Sequence, residues 1–181
     1  MLTLIIGGAR SGKSRFAQAL CRDARNVVFL ATASAESADG EMAARISRHR
    51  AERPHDWITI EEPLYLDRVI REAPPDATLL IDCITLWVSN LMWKHKALAD
   101  DEQANIILKH VVEFTEAAQE RQVIAVSNEV GSGIVPDNNV GRAFRDLQGF
   151  VNQSLARAAT RVILVVAGLP LVLKDDRGSI S

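Results

Sequence analysis

The sequence predicts a single open α/β domain in which helices cover both faces of a mostly parallel central sheet. Short apolar runs rich in β-branched residues recur along the chain, and none alternates cleanly with polar residues, which is typical of strands buried on both faces. Segments with helical spacing separate these runs, and this alternation favours a doubly wound topology. A chain of 181 residues, with 48% hydrophobic and 24% charged residues, fits one globular domain spanning 1–181.

The predicted strands are, in order, Leu2–Ile6, Val27–Ala31, Thr78–Ile81, Val123–Val126 and Val162–Ala167. Apolar stripes at helical spacing predict helices over Lys13–Cys21, Ile84–Met92, Ile106–Ala118 and Val140–Ala158. Small and polar residues predict loops over Ala33–Gly40 and Ser127–Asn139. The apolar stretch Val162–Leu173 is too short to span a membrane and is interpreted as a core strand, followed by a loose tail over Lys174–Ser181.

Charge and cysteine content exclude several classes of protein. A net charge of -2 provides no general basic field for nucleic acid or for an anionic membrane. Cys21 and Cys83 form no CxxC motif, so we expect reduced, packed thiols. The N-terminal residues lack the pattern of a signal peptide, and we expect a cytoplasmic protein.

The strongest functional signal follows the first predicted strand directly. The sequence GGARSGKS matches the phosphate-binding pattern GxxxxGK[ST] and leads into a predicted helix. Glycines let backbone N–H groups surround a phosphate, the lysine reaches the outer phosphates, and the final serine ligates magnesium. The predicted nucleotide-binding residues are therefore Gly7, Gly8, Ala9, Arg10, Ser11, Gly12, Lys13 and Ser14.

A magnesium site in such a protein needs an acidic group at the end of a neighbouring strand. Asp82 closes the apolar run Leu79–Ile81 and is the candidate, together with Ser14, for holding Mg²⁺. Asp82 could instead cap the helix that begins at Ile84.

A basic segment over Gly40–Pro54 contains the candidate nucleophile. Met42, Ile46 and His49 fall on one helical stripe, with four arginines close by. Positive charge disfavours the protonated form of histidine, and a neutral imidazole can attack a phosphorus whose oxygens are held by guanidinium groups. Alternatively, His49 is a packed core residue and the arginines form a solvated helix face.

Polar residues at other strand ends are further candidates. Thr32 and Ser34 are candidates for phosphate or ribose contacts, and Glu61 and Glu62 for contacts to a base or a ribose, although turn and surface roles explain them equally well. Asn128, Glu129, Gly131 and Gly133 are candidate substrate or metal contacts, with a structural turn as the alternative. Arg142 and Arg145 could reach a phosphate across a subunit interface, although a solvated helix face explains them better.

Four segments occur together in a familiar order: Gly7–Ser14, Gly40–Pro54, Asp82–Leu91 and Ser127–Pro136. The chain resembles the bifunctional adenosylcobinamide kinase / adenosylcobinamide-phosphate guanylyltransferase family of cobalamin biosynthesis. The resemblance extends through Arg142–Asp146, Asn152-Gln153 and the closing Val-Ala-Gly-Leu-Pro stretch, and so covers nearly the whole chain.

The resemblance implies a RecA-like P-loop fold and a homo-oligomer, specifically a trimer. It implies phosphorylation of adenosylcobinamide with ATP or GTP, followed by transfer of GMP from GTP through a guanylylated histidine, for which His49 is the matching residue. Lys13 is the second predicted catalytic residue. The predicted nucleotide contacts are completed by Thr32, Ala33, Ser34, Arg50, Ala51, Glu52, Arg53, Glu61 and Asp82.

Other readings stay open at this point. A P-loop kinase of another small molecule would share the phosphate-binding motif, with His49 merely structural. A RecA-like switch or ATPase acting on nucleic acid would share the fold, but it should show a basic surface and more aromatic residues. A nucleotide-binding module without catalysis is the third alternative.

Overall fold

The structure is a computed structural model that describes residues 1–33, 40 and 54–176. The strands are Leu2–Gly7 (β1), Val27–Ala31 (β2), Ile58–Glu61 (β3), Thr78–Asp82 (β4), Gln122–Asn128 (β5), Arg161–Val166 (β6) and Leu169–Asp175 (β7). The helices are Lys13–Leu20 (α1), Leu66–Glu72 (α2), Ile84–Lys94 (α3), Asp100–Ala118 (α4) and Asn139–Ala158 (α5).

The seven strands of the described residues form one sheet in the order β3-β2-β4-β5-β1-β6-β7. Every pair is parallel except β6 with β7. The parallel strands therefore end at the same edge, where ligands of α/β proteins bind. The predicted mostly parallel α/β P-loop fold is confirmed, and β1, which leads into the phosphate-binding motif, lies between β5 and β6.

Helices cover both faces of this sheet. On one face Ala17 of α1 and Cys21, which follows the helix, pack against strand residues that include Phe29. On the other face α2 to α5 bury a larger core, with Trp87 and Phe114 among its fully buried side chains. Burial on both faces explains why the strand sequences do not alternate in polarity.

The prediction of one core strand over Val162–Leu173 is wrong, because the chain reverses in its middle. Ala167 and Gly168 adopt φ angles of 52° and 81°, which suits the two-residue turn of a β-hairpin. β7 then returns antiparallel to β6 along the edge of the sheet, where Leu171 is 58% exposed. Lys174 is not in a loose tail either, since it lies in β7 and its Nζ donates to the carbonyl oxygen of Ala159 at 2.6 Å.

Other boundaries also differ from the prediction. The sequence pattern did not predict α2 at all, and α4 begins at Asp100 rather than Ile106. The first turn of α4 is acidic and has no apolar stripe, although negative charge there favours a helix N-terminus. Ser127 and Asn128, predicted to lie in a loop, are the last residues of β5. Within the described ranges, no helix is both long enough and apolar enough to cross a membrane.

Candidate nucleotide-binding and transfer site

The segment Gly7–Ser14, called the P-loop below, wraps tightly between β1 and α1. Gly12 has a φ of 93°, a conformation that a residue with a Cβ rarely adopts. A Cβ on Gly7 would lie 2.5 Å from Ser11 Oγ and 2.6 Å from the carbonyl oxygen of Val165. The glycines at both positions are therefore required by the geometry of the loop, as the motif predicts.

The P-loop presents hydrogen-bond donors and positive charge. The N–H groups of Ala9, Arg10 and Gly12 make no hydrogen bond to any residue that the structure describes. Lys13 is only 8% exposed, and its Nζ donates to the carbonyl oxygen of Gly8 at 3.1 Å, so the ammonium is held against the loop. Free N–H groups at a helix N-terminus beside a lysine form a binding site for phosphate.

Three predicted site residues lie together on the α1 face of the sheet. Side chains alternate between the faces along a strand, so Asp82 and Asn128 share a face with Leu80 and Val126, which pack in the core that α1 covers. The same alternation places Glu61 on this face. Because β5 lies between β1 and β4, Asn128 ends its strand between the P-loop and Asp82.

Asp82 is not used as a helix cap. The N-cap residue of α3 is Cys83, and no side chain makes a capping hydrogen bond there. In the described part of the chain, neither the Asp82 carboxylate nor the Ser14 hydroxyl has a hydrogen-bond partner. Both groups offer the oxygen ligands that Mg²⁺ prefers, so these residues fit a magnesium ion bound together with nucleotide phosphates.

Cys83, next to Asp82, has a thiol that is less acidic than usual. Burial and, to a smaller extent, the charge of Asp82 raise the pKa of the Cys83 thiol to about 11. The thiol is therefore protonated near neutral pH, and a protonated thiol is neither a nucleophile nor a metal ligand. Cys21 is buried, Cys83 is partly buried and neither forms a disulfide, which agrees with the expectation of reduced, packed thiols.

The hydroxyl of Thr32 is used inside the protein. Thr32 is fully buried, and its Oγ1 accepts from the Cys83 N–H at 2.9 Å and donates to the Cys83 carbonyl oxygen at 2.8 Å. The side chain therefore ties the end of β2 to the end of β4. Ala33, which follows it, is partly exposed at the same edge of the sheet.

The two adjacent glutamates after β3 have different environments. Glu62 Oε1 accepts from the N–H groups of Leu64 and Tyr65 at 2.8 and 2.9 Å, and Oε2 pairs with Arg68 at 3.3 Å. Glu62 thus stabilises the start of α2. Glu61 is exposed at the end of β3 and is the better candidate for a ligand contact, as the resemblance implies.

Some of the other predicted residues have structural partners, and some lie outside the described ranges. Glu129 Oε1 accepts from the N–H groups of Gly131 and Ser132 at 2.6 and 3.2 Å, so Glu129 shapes its own loop. Arg142 donates to the Pro136 carbonyl oxygen at 2.8 Å, which favours a structural role. Gly133 lies exposed in the same loop. The residues outside the described ranges are Ser34, His49, Arg50, Ala51, Glu52 and Arg53.

Helix α3 contains residues that the sequence analysis did not identify. Trp87 Nε1 donates to the Leu64 carbonyl oxygen at 2.8 Å, and Asn90 Nδ2 donates to that of Thr32 at 2.8 Å. Thr85, the second residue of the helix, accepts through Oγ1 from the N–H of Asn128 at 2.7 Å. Polar side chains at this spacing on an otherwise apolar helix were the available signal, and together they fix the loops that surround the site.

Residues 3–173 match the family model described as cobinamide kinase / cobinamide phosphate guanyltransferase. The bifunctional adenosylcobalamin biosynthesis protein CobU of Escherichia coli (strain K12) is 40% identical over 183 residues, covering 96% of this chain and 100% of that protein. The protein of the same name from Salmonella typhimurium (strain LT2) is 43% identical, with the same coverage.

Among solved structures, the P4 protein from bacteriophage phi6 in complex with ADP aligns with a TM-score of 0.41 and 16% identity, covering 93% of this chain and 52% of that one. The family match and the two relatives span nearly the whole sequence, including every segment from which the site is built. The chain therefore belongs to the cobinamide kinase / cobinamide phosphate guanyltransferase family, whose members are bifunctional transferases.

Proposed function

We propose that this chain, as a single transferase domain, carries out two successive transfers at one site. In the first, the γ-phosphoryl group of ATP or GTP moves to the hydroxyl of adenosylcobinamide, the nucleoside diphosphate leaves and the hydroxyl proton is released. In the second, GMP moves from GTP to that phosphate through His49, and pyrophosphate leaves. The observation that carries the proposal is the P-loop, with free N–H groups and a buried Lys13, placed at the same sheet edge as Asp82.

In the first transfer the P-loop holds the triphosphate in position. Its N–H groups and the Lys13 ammonium face negative charge that shifts between oxygens as the phosphoryl group leaves, and donors fixed in advance stabilise that charge without reorganising. Ser14 and Asp82 are the residues that would hold Mg²⁺, which when bound neutralises charge on the triphosphate. Mg²⁺ is commonly held by one or two carboxylates together with substrate phosphates, so Asp82 and Ser14 suit such an ion.

In the second transfer His49 attacks the α-phosphorus of GTP. A bond forms between a ring nitrogen of His49 and the α-phosphorus as the bond from that phosphorus to pyrophosphate breaks. The phosphate of the substrate then displaces the histidine from the phosphorus. The support is the sequence around His49, where arginines suited to phosphate flank a histidine, and the family membership. Ala33, Ser34, Arg50, Ala51, Glu52, Arg53 and Glu61 are the proposed additional nucleotide contacts, with Thr32 contributing through its backbone.

We expect the corrinoid to bind beside the end of β5, where Asn128 and the loop that follows it lie. Asn128 has a side-chain amide with no hydrogen-bond partner among the described residues, and it ends β5 next to the P-loop. We assign this amide to the phosphate being transferred. The loop that follows, with Glu129, Gly131 and Gly133, lies where the arm of adenosylcobinamide would enter.

The working form is proposed to be a homo-oligomer, a trimer by family resemblance, acting in the cytoplasm. β7 is an edge strand whose side chains are exposed on both of its faces, including Leu171 on one face and Val172 on the other. An exposed apolar edge strand tends to pair with another chain. We propose that a second copy of this chain packs against β7.

The experiment that tests the proposal is incubation with GTP labelled at its α-phosphate. A phosphorus–nitrogen bond to histidine is labile in acid and stable in base, so wild-type protein should retain label with those properties. His49→Ala should retain none. His55→Ala is the matched control, because His55 is exposed just after Pro54, and it should be labelled like the wild type.

A second measurement follows the corrinoid by mass spectrometry with adenosylcobinamide, ATP and GTP present. A gain of phosphate followed by a gain of GMP is expected. Phosphate gain alone, with unlabelled protein, would show a kinase without nucleotidyl transfer. Unchanged adenosylcobinamide would exclude both activities.

A further inference from the structure

The strand β5 continues beyond the end of its neighbour β4. The last residue pair between them joins Asp82 to Val126, so Asn128 has no β4 residue opposite it. A backbone N–H or C=O that loses its sheet partner needs another one. The N–H of Asn128 donates to Thr85 Oγ1 at 2.7 Å, and its carbonyl oxygen accepts from Asn152 Nδ2 at 3.0 Å. Two side chains thus replace the missing strand.

The side chain of Asn152 is itself held in one orientation. Its Oδ1 accepts from Ser127 Oγ at 2.6 Å and from Gln148 Nε2 at 2.9 Å. Ser127 and Gln148 are completely buried, so water does not compete for these hydrogen bonds. With Oδ1 engaged, the Nδ2 group is directed at the carbonyl oxygen of Asn128.

This arrangement fixes the position of the side-chain amide of Asn128. The N–H of Glu129 donates to the Gly7 carbonyl oxygen at 3.1 Å, so the end of β5 is also joined to the start of the P-loop. The backbone N–H and C=O of Asn128 are therefore both satisfied within the protein. Its side chain, on the α1 face between the P-loop and Asp82, has no hydrogen-bond partner in the described part of the chain and can act on a ligand.

We infer that Thr85 and Asn152 are positioning residues for phosphoryl transfer, acting through Asn128. The inference rests on the proposed contact between Asn128 and the transferred phosphate. Loss of the Thr85 hydroxyl would release the Asn128 N–H and let the amide shift, while the P-loop still holds the nucleotide. Such a shift lowers kcat more than it raises the KM for nucleotide, because it affects alignment in the transition state.

The test compares Thr85→Val, which keeps the shape of the side chain, with Thr85→Ser, which keeps the hydroxyl. With ATP and adenosylcobinamide, Thr85→Val should lower kcat by about 10- to 100-fold, and Thr85→Ser should recover most of it. Thr115→Val is the matched control, because among the described residues the Thr115 hydroxyl bonds only to the Val112 carbonyl oxygen of its own helix, α4. The kcat of this variant should equal that of the wild type. If Thr85→Val does not fold, Thr85→Ala takes its place.

A double-mutant cycle separates positioning from mere stabilisation. In an Asn128→Ala background the Thr85→Val change should have little further effect on kcat, although it should still lower Tm. An equal loss of kcat in both backgrounds, or normal kcat in Thr85→Val or in Asn128→Ala, would overturn the inference. These outcomes all require a wild-type protein that phosphorylates the corrinoid. A wild type that does not would count against the proposed function and, with it, the positioning role.

Discussion

Gly168 donates its N–H to the carbonyl oxygen of Ser11 at 2.8 Å, which joins the turn between β6 and β7 to the P-loop. The turn also lies close to Gly12 of the P-loop, because a Cβ on Gly12 would lie only 3.2 Å from Gly168 Cα. The turn can approach this closely because Gly12 has no side chain, and glycine at position 168 adopts the φ of 81° without strain. The hairpin thus supports the loop that we propose to bind the triphosphate.

Replacing Gly168 with alanine should weaken nucleotide binding. A Cβ at this position has free space, but the positive φ is strained for alanine by about 1 kcal/mol, so the turn should relax and loosen the bond to Ser11. We expect a KM for nucleotide raised several-fold, measured by steady-state kinetics. Ala167→Gly is the control in the same turn, since glycine tolerates the φ of 52° there, and it should bind nucleotide normally. A lowered Tm with unchanged KM would show that the turn serves stability alone.

Asp82→Asn should remove most activity while leaving the fold intact. The change keeps the shape of a partly exposed side chain that has no hydrogen-bond partner among the described residues, but it removes the charge that we propose holds Mg²⁺. We expect kcat to fall by about 10²- to 10³-fold, which is the loss caused by removing a single group that stabilises transition-state charge. Asp101→Asn, in the exposed first turn of α4, is the control and should be fully active. If the activity of Asp82→Asn depended on magnesium concentration as that of the wild type does, Asp82 would not be a magnesium-holding residue.

Leu171→Lys should disrupt the proposed oligomer. Leu171 lies in the middle of the exposed edge strand, where a lysine blocks pairing with another chain. Analytical ultracentrifugation should show a smaller species than the wild type at equal concentration. Val112→Lys on α4 is a matched control, being 53% exposed and away from β7, and its assembly state should not change. If Leu171→Lys sediments like the wild type, another surface forms the oligomer.

Acidification should destabilise the protein partly through His110. Burial lowers the pKa of His110 from its ordinary value, and this outweighs the opposing effect of the Glu113 carboxylate, 3.5 Å away. The unfolded chain therefore binds a proton at a higher pH than the folded chain, so stability is lost as the pH falls through about 6.5 towards the folded-state pKa. Urea unfolding at pH 7.5 and pH 5.5 should show a smaller loss for His110→Gln than for the wild type. An equal loss in both proteins would assign the pH dependence to other groups.

The parts of the site that were predicted from sequence are those whose chemistry is local. Gly7 to Ser14 form one continuous motif, and the requirement for glycine at position 12 follows from its φ angle. Asp82 was predicted because it ends an apolar run, and in the structure it is the last residue of β4. Local patterns of this kind do not depend on how distant segments pack.

The parts that were not predicted depend on contacts between distant segments. Nothing near Thr85 in the sequence indicates that its hydroxyl meets the N–H of Asn128, and Glu61 and Glu62 look alike until α2 is in place. The hairpin turn at Ala167 and Gly168 was missed because apolar residues flank it on both sides, so periodicity shows no break. The role of His49 stays a prediction from sequence, since it lies outside the described residues.

The central position of β1 has a consequence for synthesis of the protein. Both neighbours of β1, β5 and β6, are made by the ribosome long after it, so the first strand cannot complete its hydrogen bonds while the chain is still short. Contacts between residues so far apart in sequence also slow folding. We therefore expect a nascent chain to gain affinity for nucleotide only when its final hairpin has emerged.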